Sequence, residues 1–367
     1  MNTRLIKADS PSQVAAAAAA GARAVKAGKL VGFATETVYG IAAAATSPKA
    51  MDRLRELKSR PTRPMSVHLG SKQDVALYVR DVPADARRLI AKAWPGPLTL
   101  LLPVGGALAD RKLQSAGLYD LLCWQGHVGL RFPKGQVAQA MLSAVGVPVV
   151  APSANPTGKA SPRTAEQVLK WMDGRIDLLI DSGPTEFGND STIVKFDGPQ
   201  WTIVRQGVLS ESTIRDMVRL RVLFVCTGNT CRSPIAAAIA RKLLAARGDS
   251  AGGPVLPEIL SAGLWAAEGQ AASPEAVEAA RQMGAVIGQH RSRRVTGELI
   301  SASDVVLCMT SQQAADLRRL QPAACDRIHR LDESDIVDPI GSGANAYQRI
   351  AQNIKDAIMG WMDKGLL

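Results

Sequence analysis

One strand–loop–helix segment limits the fold of this chain more than any other feature of its sequence. Arg221–Val225 is a short apolar run, and a cysteine-containing loop separates it from a helix candidate at Ser233–Arg247. The later strand candidates are Ile259–Ala262, Asp304–Met309 and Ile328–Leu331, and the later helix candidates are Pro274–Met283, Gln312–Arg319 and Ala346–Trp361. Such alternation predicts a parallel sheet with helices on both faces.

The loop after the first of these strands is the strongest chemical signal. It consists of Cys226, Thr227, Gly228, Asn229, Thr230, Cys231 and Arg232, and Ser233 and Pro234 begin the helix. Such a loop can wrap one tetrahedral phosphate, because inward N–H groups, the helix dipole and the arginine fork all favour an anion. These surroundings are expected to lower the pKa of Cys226, and Ser233 can hydrogen-bond the thiolate. The alternative is an ordinary turn with a buried cysteine.

A carboxylate beyond the last strand is the candidate acid partner of this cysteine. A thiolate that attacks phosphorus needs an acid to protonate the departing group. Asp338, which Pro339 follows, lies in the loop after the last strand candidate. An Asp-Pro pair is usually only a turn, but this loop is expected at the same edge of the sheet as the cysteine loop.

The first part of the chain predicts a separate α/β domain. Its strand candidates are Leu30–Ala34, Ser66–Leu69, Leu98–Leu102, Val128–Phe132, Val147–Ala151, Leu178–Asp181, Ser191–Phe196 and Thr202–Arg205. Its helix candidates are Ser12–Ala27, Pro48–Lys58, Asp85–Ala93, Gln136–Val145 and Thr164–Met172. We therefore expect a twisted α/β domain at 1–208, a linker at 209–220 that contains a short helix, and a Rossmann-like parallel-sheet domain at 221–367.

Composition excludes several classes of protein. No run approaches the roughly 20 apolar residues that a membrane-spanning helix needs, so we expect a cytoplasmic protein with no membrane partner. Five cysteines without paired CxxC units argue against a disulfide framework and against a zinc site.

The positive charge lies almost entirely in the first part. Residues 1–219 hold 28 Lys and Arg against 18 Asp and Glu, whereas residues 220–367 hold 16 against 15. A basic domain suits polyphosphate or RNA, although a solvated basic surface is the alternative. No Walker A pattern occurs, so phosphate binding through that loop is excluded.

The last part of the chain resembles a low-molecular-weight protein tyrosine phosphatase. The resemblance implies that Cys226 is the nucleophile, that Arg232 holds the phosphate and that Asp338 is the general acid. It also implies that Thr227, Gly228, Asn229, Thr230, Cys231 and Ser233 complete the phosphate loop, that Cys231 can trap the nucleophile as a reversible disulfide, and that no cofactor is needed.

Two positions bear on the phosphatase substrate, which we expect to be a phosphoprotein. Thr230 stands where tyrosine-specific members commonly carry an apolar residue, and the loop resembles that of bacterial protein-arginine phosphatases. Ile340 stands where an aromatic residue is usual in tyrosine-specific members, but it also departs from the arginine-type pattern. Phosphoarginine is therefore slightly favoured over phosphotyrosine; the alternative is that Thr230 is a neutral variant.

Ordered motifs in the first part resemble the YrdC/TsaC family over roughly residues 12–208. They are Thr35–Gly40, the Lys58–Pro64 segment, Trp94–Thr99, Val128–Pro133, Pro152–Asn155, Ser191–Val194 and Arg205–Gly207. The resemblance implies synthesis of threonylcarbamoyl-AMP and pyrophosphate from L-threonine, bicarbonate and ATP, with Mg²⁺ on the phosphates. The product serves the tRNA-modification machinery that forms N6-threonylcarbamoyladenosine.

The same resemblance assigns binding residues in this domain. ATP would be held by Lys58, Arg60, Ser153, Asn155, Ser161 and Arg205, and threonine by Thr37, His68, Arg131 and Ser191. The Lys58–Pro64 segment is one residue shorter than usual, and His127 and Ala151 stand where the family often has threonine. The alternative function is a working phosphatase joined to a non-catalytic RNA-binding or regulatory module.

Overall fold

The computed structural model describes residues 2–59, 64–104, 117–247 and 256–367. The chain divides into two compact units, Met1–Val218 and Arg219–Leu367. Among the described helices, none combines the length and the apolar character needed to cross a bilayer.

The first unit is built on one large mixed sheet. Its strands are β1 (Arg4–Lys7), β2 (Val31–Ala34), β3 (Tyr39–Ala44), β4 (Val67–His68), β5 (Leu98–Pro103), β6 (Cys123–Trp124), β7 (His127–Arg131), β8 (Val149–Val150), β9 (Leu178–Asp181), β10 (Thr192–Asp197) and β11 (Gln200–Arg205). They lie in the order β1-β9-β2-β3-β8-β4-β7-β5-β10-β11, and β6 pairs with β7. Parallel and antiparallel pairs alternate irregularly, which gives the mixed α/β character expected from the sequence.

The helices of the first unit lie between these strands in the chain. They are α1 (Pro11–Lys26), α2 (Pro48–Lys58), α3 (Ala84–Ala93), α4 (Tyr119–Leu122), α5 (Gln136–Val145), α6 (Ala165–Met172) and α7 (Glu211–Val218), together with a 3₁₀ helix at Lys72–Leu77. The short helix predicted in the 209–220 linker is thus α7, whose Ile214 and Val218 are buried. The elements that were not predicted are the edge strand β1, the strands β3 and β6, and the short α4.

Small residues allow α1 and α5 to pack closely over the sheet. The helix α1 begins with a capping box between Ser10 and Gln13, which satisfies two backbone donors at its start. Its buried face consists of Ala17, Ala18, Gly21, Ala22 and Val25. A Cβ atom built at Gly21 would lie 2.6 Å from the Sδ atom of Met141 on α5. The alanine-rich run is therefore a packing surface as well as a good helix former.

The second unit contains a four-stranded parallel sheet. Its strands are β12 (Arg221–Cys226), β13 (Glu258–Gly263), β14 (Val305–Cys308) and β15 (Ile328–Arg330), and its helices are α8 (Arg232–Arg247), α9 (Pro274–Gln282), α10 (Gly297–Ala302), α11 (Ser311–Leu320) and α12 (Gly343–Asp363), with a 3₁₀ helix at Pro322–Arg327. The strand order is β13-β12-β14-β15. All three pairs are parallel, which confirms the prediction.

Alternate residues of β12 enter two separate cores. Val222 and Phe224 pack with buried residues of α8, α9 and α12. Leu223 and Val225 pack with buried residues of α10 and α11. Since neighbouring side chains of a strand point to opposite faces, helices cover both faces of this sheet. The cysteine loop therefore leaves β12 at the carboxyl edge of a doubly covered sheet, where α/β folds bind ligands.

Candidate active sites

The cysteine loop curves around the sulfur of Cys226. Cys226 ends β12, is 2% exposed, and its Sγ atom accepts the N–H of Asn229 at 3.2 Å. The Oγ atom of Ser233, in the first turn of α8, lies 2.9 Å from the same sulfur. Asn229 has a φ of +56°, the left-handed conformation that asparagine tolerates better than most residues. The sulfur thus faces a backbone N–H and a hydroxyl inside the loop.

The buried side chain of Asn229 fixes the shape of the loop. Its Nδ2 atom donates to Ser233 Oγ at 2.9 Å and to Ser261 Oγ at 3.0 Å. Its Oδ1 atom accepts the N–H of Arg293 at 2.9 Å. The loop also needs Gly263 beside it, because a Cβ there would lie 2.5 Å from the carbonyl oxygen of Thr227. These contacts preorganise the loop.

Arg232 and Asp338 meet beside this loop. The Arg232 guanidinium is 3% exposed, and it donates to the carbonyl of Ile336 at 2.9 Å and to Thr227 Oγ1 at 3.2 Å. It also forms an ion pair with the half-exposed carboxylate of Asp338. The Nε atom of Arg232 is buried and has no hydrogen-bond partner among the described residues. The structure therefore brings the predicted phosphate-binding arginine and the predicted acid together.

The expected direction of the Cys226 pKa is wrong. Burial raises the pKa of this thiol above its ordinary value. The Ser233 hydroxyl, the Arg232 charge and the N–H of Asn229 all oppose that shift, because each stabilises the thiolate. The donors anticipated from the sequence are therefore present, but desolvation of the sulfur outweighs them.

The remaining loop residues have different surroundings. Thr230 is half-buried, and its Oγ1 atom lies 3.7 Å from the Sγ atom of Cys231. Cys231 is buried, with its sulfur 3.3 Å from Tyr347 Oη and 3.5 Å from Ser273 Oγ. Both loop cysteines are free thiols in this structure. Ile340, two residues after the predicted acid, is 68% exposed.

In the first unit, Arg131 is the centre of a buried polar cluster. Its Nη2 atom contacts Glu36 Oε1 at 2.8 Å and Thr37 Oγ1 at 2.7 Å. The second carboxylate oxygen of Glu36 accepts the N–H of Lys134 at 2.9 Å. His68 lies beside Arg131 in the register of β4 and β7. Burial and the Arg131 charge lower the pKa of His68 to about 3, so this imidazole is neutral at physiological pH.

Ser191 and Arg205 form a second cluster. The Arg205 guanidinium donates to the carbonyl of Ser191 at 2.8 Å and to its Oγ atom at 3.0 Å. Ser191 Oγ is also 2.8 Å from Thr99 Oγ1, and Thr99 faces Arg131 in the register of β5 and β7. Ser161 donates to Asp190 at 3.0 Å. Arg205, which is predicted to bind ATP, thus hydrogen-bonds Ser191, which is predicted to bind threonine.

Lys58 belongs to a third cluster. Its Nζ atom donates to the carbonyl of Ser153 at 2.8 Å and to the carbonyl and side chain of Asn155 at 2.6 and 3.1 Å. The N–H of Ala154 donates to the carbonyl of Tyr39 at 2.8 Å, so this polar loop lies against the start of β3. Arg60 and Arg63 lie outside the described residues.

Strand pairing and chain neighbours relate the three clusters. Thr99, whose hydroxyl contacts Ser191, pairs with Arg131 across β5 and β7. The segment that ends with Thr37 contacts Arg131, and β3, which begins two residues later, contacts the loop held by Lys58.

Three residues of these clusters were not predicted as site residues: Glu36, Thr99 and Asp190. Glu36 and Thr99 nevertheless lie inside the motifs Thr35–Gly40 and Trp94–Thr99. A buried carboxylate beside a predicted cationic residue becomes visible only once strand pairing is known.

Two of the three departures from the family pattern, His127 and Ala151, lie in ordinary local surroundings. His127 at the start of β7 lies 2.8 Å from the carbonyl of Phe196 and 3.1 Å from the carboxylate of Asp197. Ala151 is buried after β8. Neither residue disrupts the contacts of the Arg131 cluster.

Comparisons with known proteins follow the same division of the chain. A Sua5/YciO/YrdC family model, described as "Telomere recombination", matches residues 23–207, and a model of the low molecular weight phosphotyrosine protein phosphatases matches residues 221–366. A threonylcarbamoyl-AMP synthase of Pyrococcus abyssi is 34% identical over 197 residues, which are 53% of this chain and 55% of the relative. The chain thus spans about half the length of the first curated relatives that it matches.

The chain is also similar to a phosphatase relative and to a solved Sua5 structure. A probable low molecular weight protein-tyrosine-phosphatase, EpsP of Ralstonia nicotianae, is 32% identical over 146 residues, which are 39% of this chain and 94% of the relative. A structure of a Pyrococcus abyssi Sua5 variant matches with a TM-score of 0.51 and 28% identity, and the match covers 67% of this chain and 75% of that one.

Proposed function

Because this chain belongs to the Sua5/YciO/YrdC family in its first half and to the low molecular weight phosphotyrosine protein phosphatases in its second half, we propose that it is a bifunctional enzyme. The first unit makes threonylcarbamoyl-AMP and pyrophosphate from L-threonine, bicarbonate and ATP, for tRNA modification. The second unit is a cysteine-dependent protein phosphatase. The observation that carries the second proposal is the sulfur of Cys226, enclosed by loop donors, beside the Arg232–Asp338 pair.

The Arg131 cluster supports the proposed recognition of threonine. Glu36 and Thr37 hold one terminal nitrogen of the guanidinium, while its buried Nε atom has no hydrogen-bond partner among the described residues. A substrate carboxylate is the kind of group that satisfies such a donor. Neutral His68, together with Thr37 and Ser191, would supply uncharged hydrogen bonds to the amino acid.

The Lys58 and Ser191–Arg205 clusters support the proposed binding of MgATP, with Ser153, Asn155 and Ser161 contributing. The family resemblance adds Arg60, which lies outside the described residues. The threonine amine attacks bicarbonate, an N–C bond forms, and water leaves to give an N-carboxylate. An oxygen of this N-carboxylate attacks the α-phosphorus, an O–P bond forms, and the bond from the α-phosphorus to the bridging oxygen breaks as pyrophosphate leaves. Because two anions approach each other, fixed cations are required. Magnesium is expected on the phosphates of the ATP substrate, because phosphate oxygens are the hard ligands that this ion prefers.

Pyrophosphate release tests this half of the proposal. The chain is incubated with ATP and bicarbonate, with and without threonine, and Lys58→Ala serves as the site variant. Threonine-dependent release that the variant lacks supports the synthase function. Release that does not depend on threonine, or none, favours the alternative of an RNA-binding or regulatory module.

In the proposed phosphatase reaction the thiolate of Cys226 attacks phosphorus. An S–P bond forms, the bond to the substrate oxygen or nitrogen breaks, and Asp338 gives its proton to the departing atom. Water then cleaves the S–P bond and returns a proton to Asp338. In the structure Arg232 forms an ion pair with Asp338, so a phosphoryl group that enters the loop must replace that carboxylate on the guanidinium. The loop N–H groups and Arg232 stabilise the transferring phosphoryl group.

Phosphoarginine is the slightly favoured substrate over phosphotyrosine. Thr230 places a hydroxyl in the loop, and the exposed Ile340 beside the acid offers no aromatic face to stack on a tyrosine ring. The rates of phosphoarginine and phosphotyrosine peptides should be compared for the unmodified chain and for Thr230→Ile. The substitution should shift the ratio towards phosphotyrosine, whereas an unaltered ratio would contradict the role of Thr230.

A further inference from the structure

We propose that the second unit binds acidic segments of its phosphoprotein substrate on a basic surface beside the phosphate loop, here called the Trp265–Arg294 platform. The platform consists of Trp265, Arg291, Arg293 and Arg294. The inference rests on the proposed phosphatase function, and it adds the class of sequence that flanks the phosphorylated residue.

Trp265 is fixed at the rim of the loop. Its backbone N–H donates to the carbonyl of Thr227 at 2.9 Å, and the preceding N–H of Leu264 donates to the carbonyl of Cys226 at 3.0 Å. The Trp265 side chain is nevertheless 71% exposed. An indole ring held next to the phosphate loop and open to solvent can contact whatever chain enters the loop.

Arg294 stacks on this indole. Its guanidinium carbon lies 5.4 Å from the centroid of the Trp265 ring. A parallel bridge between Gly263 and Arg294 and the N–H of Val295, which donates to the carbonyl of Gly263 at 2.9 Å, hold the two segments together. Stacking orients the planar guanidinium and leaves its N–H donors able to bind a carboxylate in bidentate fashion.

The platform is positive in a unit that is otherwise nearly neutral. Residues 220–367 hold 16 Lys and Arg against 15 Asp and Glu. Within the described part of the chain, no salt bridge joins Arg291, Arg293 or Arg294 to an acidic side chain; Glu268 accepts only the backbone N–H of Arg294, at 2.8 Å.

His290, next to the platform, lies in the same positive field. His290 hydrogen-bonds the carbonyl of Asn229 at 2.7 Å, and its pKa is lowered, first by burial and then by the charges of Arg241, Arg293 and Arg291. Uncompensated charge at the rim of a site that takes one phosphoryl group complements a substrate chain with carboxylates on either side of that group.

The experiment compares two phosphopeptides of one length. One carries Asp and Glu next to the phosphorylated residue, and the other carries Ala at those positions; the phosphorylated residue is whichever of phosphoarginine and phosphotyrosine the unmodified chain hydrolyses faster. The ratio of kcat/KM for the acidic peptide to kcat/KM for the alanine peptide is measured within each variant, so that a loss of folded protein cancels. Arg294→Glu reverses one platform charge, and Arg294→Gln removes it. Arg319→Glu is the matched control, because Arg319 is 72% exposed on α11 and pairs with Asp316.

The unmodified chain should prefer the acidic peptide, and Arg294→Glu should lower the ratio about fivefold, as expected for a few exposed charge pairs. Arg294→Gln should lower it less, Arg319→Glu should leave it unaltered, and about 0.5 M salt should remove the preference. Three results would refute the proposed binding of acidic segments by the Trp265–Arg294 platform. They are no preference for the acidic peptide in the unmodified chain, an equal effect of Arg319→Glu, and stronger competition by a short RNA than by the acidic peptide. Failure of the unmodified chain to hydrolyse even an aryl phosphate would instead overturn the phosphatase function beneath it.

Discussion

Replacing Ser233 by alanine should slow the phosphatase reaction most at low pH. The Ser233 hydroxyl lies 2.9 Å from Cys226 Sγ, and it is one of the groups that lower the pKa of a thiol whose burial raises it. Without the hydroxyl the pKa rises further, so a smaller fraction of Cys226 is thiolate at a given pH. The acidic limb of the rate profile should therefore move to higher pH.

The magnitude follows from the kind of hydrogen bond that is lost. A hydrogen bond to a charged group contributes about 1.5–3 kcal/mol. The lower end applies here, because Ser233 Oγ can also donate to the carbonyl of Ala262 at 3.2 Å and sulfur is a weak acceptor. About 1.5 kcal/mol corresponds to a roughly tenfold lower kcat/KM below the pKa of the thiol. The difference should shrink at alkaline pH, where both forms are thiolate.

Ser261→Ala is the matched control. Ser261 is also buried and also accepts a hydrogen bond from Asn229 Nδ2, at 3.0 Å, but no described contact joins it to the sulfur. Either substitution leaves that amide one serine acceptor. The assay is kcat/KM for an aryl phosphate across the pH range, which reports the free enzyme. A Ser233→Ala defect that is equal at every pH, or that Ser261→Ala reproduces, would refute the reasoning.

Three further predictions concern other parts of the structure. Arg131→Lys should raise the KM for threonine about tenfold in the pyrophosphate assay and alter the KM for ATP far less. Glu36 and Thr37 hold one guanidinium nitrogen of Arg131, and a lysine would have no second nitrogen for the substrate carboxylate. Glu36→Gln should lower the free energy of unfolding of the first unit by about 3 kcal/mol in urea denaturation, since it leaves buried Arg131 without its ion partner. Glu186→Gln is the control: it removes an exposed ion pair and should lower the same free energy by less than about 0.5 kcal/mol. Gly263→Ala should reduce phosphatase activity at least about tenfold, because the added methyl group would lie 2.5 Å from the carbonyl oxygen of Thr227. Gly297→Ala is the neutral control, because no described atom lies within 4 Å of a Cβ atom built at that position.

Strands and helices with a clear apolar pattern could be predicted from the sequence, and others could not. Helix α2 and strand β9 have the predicted bounds, because Ser47 caps the helix and Leu178–Asp181 is an apolar run. Strand β3 was missed: Tyr39–Ala44 consists mainly of glycine and alanine, which have low strand propensity. It is a strand because β2 and β8 pair with its two edges, and all of its residues are buried in the folded unit.

The sites show the same distinction between local and long-range information. The strand-to-helix turn placed Cys226, Arg232 and Ser233 together, because seven residues of one loop fix that geometry. The direction of the Cys226 pKa depends on burial by the whole unit, which no local pattern reveals. Glu36 was not recognised as the partner of Arg131 because 95 residues separate them in the chain.

The most direct test of two separate chemistries in one chain is to measure both products from a single preparation of Cys226→Ser. Phosphate release from an aryl phosphate should disappear, while threonine-dependent pyrophosphate release should continue at the rate of the unmodified chain. Retained phosphate release in that variant would contradict the assignment of the sulfur as the nucleophile.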